Sequence, residues 1–238
     1  MCRFTAGMFG YRNFVYTLIV LALLAFAALR PTHLHAEFDN DNRTWQTLGI
    51  NFYENDNWRF KGAAQTRLFD DSKFLGVWLV APTIEYKLNK NFDFGGTYLL
   101  EDVRAEAGDD YTRLHIFWLH MSPHWNLNEK TRFSMRHLAG YRAIESHDNY
   151  WVSRHLFGLD RKLTDCGRLV GVGIDTEVFY NYDTDRICEN RFRPIKLTFS
   201  LTERAKLQLY FMFQSKRFGD NKSWDTAYIF GQSIGFKF

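Results

Sequence analysis

Proline is almost missing from this chain, cysteine is scarce, and beyond Ala36 no apolar run is long. Four prolines occur in 238 residues, one of them before Ala36. Pro82, Pro123 and Pro194 fall inside predicted strands, so bulges or gaps in the ladder are expected there. After Ala36 a polar residue breaks every apolar segment well short of the roughly 17 residues that a spanning helix needs. That excludes a helical inner-membrane protein for residues 37–238. Of three cysteines, Cys2 has no lipobox around it, so lipidation is not expected. Cys166 and Cys188 sit in turns at opposite ends of one predicted strand, about 22 residues apart. At ~3.3 Å per residue they lie far beyond the ~7 Å limit between bridged Cα atoms, and no intrachain disulfide is expected.

An excess of cations is missing as well. The whole chain has 30 basic and 27 acidic residues, but Met1–Ala36 contains three arginines and no acid, leaving 27 against 27. A nucleic-acid partner therefore has no electrostatic footprint. The first 36 residues read as a cleaved signal peptide. Arg3 and Arg12 form a positive region, Phe14 to Leu29 is apolar and uncharged, and His33-Leu-His-Ala36 offers a small residue for cleavage. An uncleaved anchor is the alternative reading. Residues 37–238 are expected to form one domain by length.

One device recurs along those residues: an alternating run, a tight polar turn, and another alternating run. The tight turns are Tyr53-Glu-Asn-Asp-Asn57, Leu88-Asn-Lys-Asn91, Leu127-Asn-Glu-Lys130, Leu163-Thr-Asp-Cys-Gly167 and Leu201-Thr-Glu-Arg204. Longer polar links join the other strand ends, as at Asp70-Asp-Ser-Lys73 and Asn181 to Asn190. The runs 44–54, 58–69, 74–88, 92–105, 111–127, 131–144, 149–163, 168–182, 190–201, 205–218 and 224–238 read as strands of a meander. Eleven conflicts with the even count of bacterial barrels. Ten or twelve strands are therefore expected, with the first run the uncertain one, because it points the same way as the last.

Alternation is clearest in 205–218, where Leu207, Leu209, Phe211 and Phe213 oppose Lys206, Gln208, Tyr210, Gln214 and Lys216. Two readings fit such a pattern. In a membrane barrel the apolar face meets lipid and the polar face lines the lumen. In a soluble periplasmic barrel binding an apolar ligand, the faces are exchanged. The aromatic content of 18 % and the placing of Trp45, Trp58, Trp118, Trp125, Trp151 and Trp224 towards strand ends favour the membrane. The fold class is thus all-β, an antiparallel up-and-down transmembrane barrel of about 10–12 strands. Arg59, Arg67, Glu85, Arg104, Arg113, Arg132, Arg136, Asp175, Glu177 and Lys206 are expected to face the lumen. Such a wall encloses far less space than an open porin.

The segment Gly231-Gln-Ser-Ile-Gly-Phe-Lys-Phe238 puts Ile234, Phe236 and Phe238 on one strand face. It resembles the C-terminal signal read by the barrel-assembly machinery, departing from it at Ser233, where that signal has glycine. Together with Glu85-Tyr-Lys-Leu-Asn-Lys-Asn-Phe92, Arg161-Lys-Leu-Thr-Asp165 and the link flanked by Glu101 and Arg113, these residues resemble a family of outer-membrane barrels, domain of unknown function 2490. The resemblance spans about residues 40–238. It implies fold and location and brings no catalytic residues.

Ser153 and His155 share a strand face and are the candidate pair for acyl transfer or hydrolysis, a serine beside its base. The plain alternative is an interfacial histidine beside Trp151 and Phe157. Ser134 and His137 fall on opposite faces. His120 and His124 share a face, but about 13 Å of strand separates them, too far for one ion. No metal or cofactor is expected. Asp70, Asp71, Glu106, Asp109, Asp110, Asp148, Asp183, Asp185, Glu189 and Asp220 would form an acidic rim on the link side, or simply shape its turns. The reading is a non-enzymatic channel or scaffold of the Gram-negative outer membrane. Its expected partners are outer-membrane lipids, lipopolysaccharide and the barrel-assembly machinery. A lipid-modifying wall enzyme is the alternative.

Overall fold

The computed structural model describes residues 41–104, 106–163, 168–217 and 224–238. The signal peptide expected over residues 1–36 lies outside them, as do Cys166 and Asp220. Within the described residues eleven strands close into one barrel. They are β1 (Asn42–Glu54), β2 (Trp58–Phe69), β3 (Phe74–Asn89), β4 (Phe92–Val103), β5 (Thr112–Asn126), β6 (Thr131–Ile144), β7 (Tyr150–Lys162), β8 (Leu169–Asn181), β9 (Arg186–Ser200), β10 (Ala205–Lys216) and β11 (Asp225–Lys237).

Every strand pairs antiparallel with its sequence neighbour, and β1 pairs with β11 in parallel, from Asn42↔Tyr228 to Asn51↔Lys237. The expectation of ten or twelve strands is corrected to eleven. The first run joins the wall after all. In an up-and-down meander with an odd count, the first and last strands must point the same way, so closure requires a parallel seam. The alternative leaves two unpaired edges, which an apolar surrounding does not tolerate.

Side-chain amides shape the tight turns, as the asparagine-rich sequence suggests. Asn55 Oδ1 accepts hydrogen bonds from the Asn57 and Trp58 amides at 2.9 and 2.6 Å. Asn128 Oδ1 accepts from Lys130 and Thr131 at 3.0 and 2.9 Å. At the opposite end Asp70, Asp71 and Ser72 adopt positive φ of 50, 53 and 63°, a conformation that short polar side chains tolerate better than branched ones.

Of the three prolines, Pro194 alone lies at a register shift, in β9 facing both β8 and β10. Pro82 and Pro123 stay in register, opposite Gly62 and Phe92. β9 also starts four residues earlier than expected, because the β8–β9 link tightens around Asp185, whose φ is 50°. Glu189 is therefore a buried strand residue, not a rim acid.

The outward face is apolar: Phe60, Ile84, Phe94, Phe117, Leu119, Ile195 and Phe230 are all exposed. Trp58 and Trp125 near the tight turns, and Trp151 and Trp224 near the links, are exposed as well. Trp45 and Trp118, expected with them in an interfacial girdle, are instead buried inside the barrel, at 4 and 3 % exposure. Glycines opposite make room for such inward rings. A Cβ on Gly140 would lie 2.4 Å from the Trp118 ring, and one on Gly231 would lie 1.9 Å from that of Tyr210.

The parallel seam is testable by cross-linking. In a background free of native cysteines, Thr47→Cys with Ser233→Cys, partners in the register, should be joined within one chain by a short bis-thiol reagent. Failure to cross-link in the folded protein would refute the closure.

Candidate functional site

The inward face carries the chemistry, and strand alternation places it there. Arg67 of β2, Glu101 of β4, Arg154 of β7, Glu177 of β8 and Glu189 and Arg191 of β9 converge in the link-side half of the lumen. Arg154 Nη2 lies 2.8 Å from Glu177 Oε1, and Arg191 Nη1 lies 3.7 Å from Glu177 Oε2. Arg191 Nε donates to Glu189, and Arg67 Nη1 reaches Glu101 at 3.3 Å.

The guanidinium planes also lie over rings. Arg67 and Arg191 sit 4.4 and 4.9 Å from Trp45, and Arg191 and Arg154 sit 4.5 and 4.6 Å from Phe179. Arg154 further approaches Trp118 at 5.3 Å. Arginine suits this role because its weakly hydrated plane can pair at its edge and stack on its face. Across the lumen, Val77, Leu79, Leu99, Ile116, Leu138 and Val152 pack with Trp118 in an apolar cluster. The link-side half is thereby filled, and Glu177 is left 2 % exposed.

Towards the tight turns the interior stays charged but loosens. Arg59 Nη1 lies 2.9 Å from Glu85 Oε2, Lys61 pairs with the same carboxylate, and His120 Nε2 lies 3.4 Å from it. Glu54 gathers Arg59, Lys87 and Lys237 at 3.1, 2.8 and 2.9 Å. Asp175 holds Arg193 and, at 3.2 Å, Lys196.

The structure places the residues read as lumenal in three groups. Arg59, Arg67, Glu85, Arg136, Asp175 and Glu177 meet across the interior. Arg132 and Lys206 line the turn-side opening. Arg104 and Arg113 do not face the lumen. Arg104 lies past the end of β4, donating to the Leu75 carbonyl at 2.9 Å. Arg113 is outward, because inward parity on β5 belongs to Ile116, Trp118 and His120, and it grips Asp102 at 2.9 and 3.0 Å.

Sequence reasoning missed Arg142, Arg154, Arg191, Arg193 and Lys196 as lumenal. Arg154 was legible from its parity with Val152, whereas the bulges in β9 hide the parity of Arg191, Arg193 and Lys196. On the rim, Asp70, Asp71 and Asp185 occupy positive-φ turn positions. The Asn42 side-chain amide, donating to Asp71, holds that carboxyl below its usual range.

Ser153 and His155 do come together: His155 Nε2 is 3.2 Å from Ser153 Oγ, and His155 Nδ1 is 2.9 Å from Nδ1 of His137 across the β6–β7 pair. The cluster faces outward, in line with exposed Trp151 and Phe157. Ser153 is only 3 % exposed, and no carboxylate orients either ring among the described residues. The serine thus has a base within reach, but its hydroxyl is covered. His115 Nδ1 lies 2.7 Å from the Tyr98 hydroxyl, and His124 binds the Ser122 and Lys90 carbonyls at 3.2 and 3.1 Å. With His120 inside the barrel, the three histidines point to three different places.

Residues 42–225 match the model described as Protein of unknown function (DUF2490). The chain belongs to that family. Among solved structures it is similar to the NanC porin, at 10 % identity and TM-score 0.48, over 83 % of this chain and 99 % of that one. It is also similar to an anion-selective porin from Comamonas acidovorans, at 10 % identity and TM-score 0.37, over 75 % of this chain and 54 % of that one. The siderophore receptor PirA from Pseudomonas aeruginosa matches at 10 % identity and TM-score 0.28, over 78 and 42 % of the two chains. No curated protein matches. At these values the solved structures add nothing to the barrel already described.

The buried ion cluster sets a stability prediction. Glu177→Leu leaves Arg154 without its carboxylate and Arg191 with Glu189 alone, and breaking a buried pair from one side costs about 3–5 kcal/mol. Urea unfolding of the vesicle-embedded barrel should show a loss of that order.

Proposed function

We propose that this protein is an outer-membrane barrel whose lumen is occluded, a wall-forming scaffold and not an open pore. One observation carries the reading: paired charges and stacked rings on one side of the link-side half of the interior, and buried aliphatic side chains on the other, occupy the space between the walls. A porin keeps an aqueous channel by using 16–18 strands, whereas about eight leave room only for side chains. Eleven is nearer the filled case, and the side chains here are large.

The outer-membrane assignment is supported by the apolar outward face, by the exposed tryptophans near both ends and by the leader read in the sequence. In this reading lipid surrounds the wall, the tight turns face the periplasm and the links meet lipopolysaccharide. The barrel-assembly machinery would recognise the face bearing Ile234, Phe236 and Phe238. The wall-enzyme alternative has the covered Ser153 against it. The soluble alternative has the inward charges against it, since an apolar ligand would meet arginine and glutamate.

Two measurements test this. Purified outer membranes should hold the protein against alkaline extraction, with a gel mobility that changes on heating. Release by alkali would overturn the location. In planar bilayers the wild type should give no stable conductance steps, while Arg154→Ala with Glu177→Ala should open one. Steady steps from the wild type would overturn the occlusion.

A further inference from the structure

Below the filled layer the lumen opens towards the tight turns into a cavity of about 410 Å³, within the range of small-ligand sites. Its walls come from β6–β10 and the β5–β6 turn. The cations Arg132, Lys196 and Lys206 line it from inward strand positions, with Lys130 at the turn, against the carboxylates Glu129 and Asp160. Asp160 is already engaged, with its Oδ1 2.8 Å from Lys196 Nζ. A Cβ on Gly173 would sit 2.3 Å from that carboxylate oxygen, so the absence of a side chain there keeps the contact open.

Register explains the surplus. Arg132 stands directly opposite Asp160 in the β6–β7 pair, yet forms no ion pair with it, because Asp160 turns to Lys196. Lys206 is flanked by Ser200 and Gly235, neither of which can offer a carboxylate. Arg132 and Lys206 have no ion-pair partner among the described residues. Higher in the lumen the pattern is the reverse: Arg67, Arg154 and Arg191 all meet carboxylates. At the turn side, Arg132 and Lys206 thus stand without carboxylates beside a space with room for a ligand.

We infer that this vestibule is a binding site for a small multivalent oxyanion of the phosphate class, entering from the tight-turn side. Unpaired cations in a concave, low-dielectric wall focus potential and attract counter-charge. Guanidinium groups match the geometry of phosphate oxygens with paired donors. Thr198 and Gln208 line the same wall and supply neutral donors to orient a ligand. The inference rests on the occluded lumen, which makes the cavity an end-point and not a mouth. The ligand is a free solute in this account, since the cavity lies inside the wall and away from lipid.

The refolded barrel in zwitterionic detergent, titrated calorimetrically with inorganic pyrophosphate at about 50 mM salt, tests the site while screening stays moderate. One-to-one binding that weakens with added salt is expected. Arg132→Gln with Lys206→Gln should weaken it about tenfold or more, the loss of two charge-assisted contacts. Asp160→Asn should tighten it by removing a negative charge from the cavity and leaving Lys196 with Asp175 as its one remaining carboxylate.

Folding of each variant is checked by its heat-dependent gel mobility. If the double variant does not fold, Lys206→Gln alone, at an inward position at the start of β10, carries the test, with weaker binding expected. No binding by the wild type, or unchanged affinity in the folded variants, would overturn the site. Vesicles of phosphatidylglycerol that compete with pyrophosphate would overturn the free-solute assignment. Because binding is read in detergent, a conducting wild type would defeat the occlusion and leave these outcomes separately readable.

Discussion

Everything in this fold depends on closing the wall. A sheet with a free edge exposes a row of unpaired amides and carbonyls, and only a complete ring removes it. Eleven strands close when β1 lies parallel to β11, a pairing slightly weaker per residue than its antiparallel counterparts. The ring in turn defines an inside of limited width. What alternation delivers to that inside must then fit and be neutralised, and the paired arginines, glutamates and rings of the link-side half are the result.

Two filling strategies divide the lumen. On the β3–β7 side, aliphatic side chains and Trp118 form an ordinary apolar core. On the side of β8, β9 and β2, arginines pair with carboxylates at their edges and lie on Trp45 and Phe179 with their faces. The ionic half carries a large desolvation cost that its pairing must offset, so removing one member costs far more than the pair itself contributes. The turn-side half escapes this requirement because it is open to water, and there the charges are allowed to be unequal.

Much of the architecture was legible because its signals are local. Alternation located the strands, with bounds within about two residues except at β9, and asparagine-rich turns located the hairpins. What escaped was non-local. Strand parity does not say how a meander closes, so the first run looked doubtful. An aromatic side chain looks the same whether it faces lipid or lumen, so Trp45 and Trp118 were read as interfacial. The bulges at Pro194 and near Cys188 shift the faces of β9, which hid Arg191, Arg193 and Lys196 although Asp175 and Glu177 were read directly from β8. Ser153 and His155 were adjacent as read, but no sequence pattern tells that a hydroxyl will be covered.

The parallel seam also gives the chain a polarity that an even-stranded barrel lacks. Asp41 accepts the Asp71 amide and sits with Arg43 at the link end, whereas Phe238 leaves the wall beside Asn51 at the tight-turn end. The two ends of the barrel segment therefore emerge at opposite ends of the barrel. In an even meander both would emerge together. In the proposed membrane setting, the start of β1 would have to cross the bilayer while the end of β11 would not. In that setting, tags introduced next to Asn42 and after Phe238 would face different compartments.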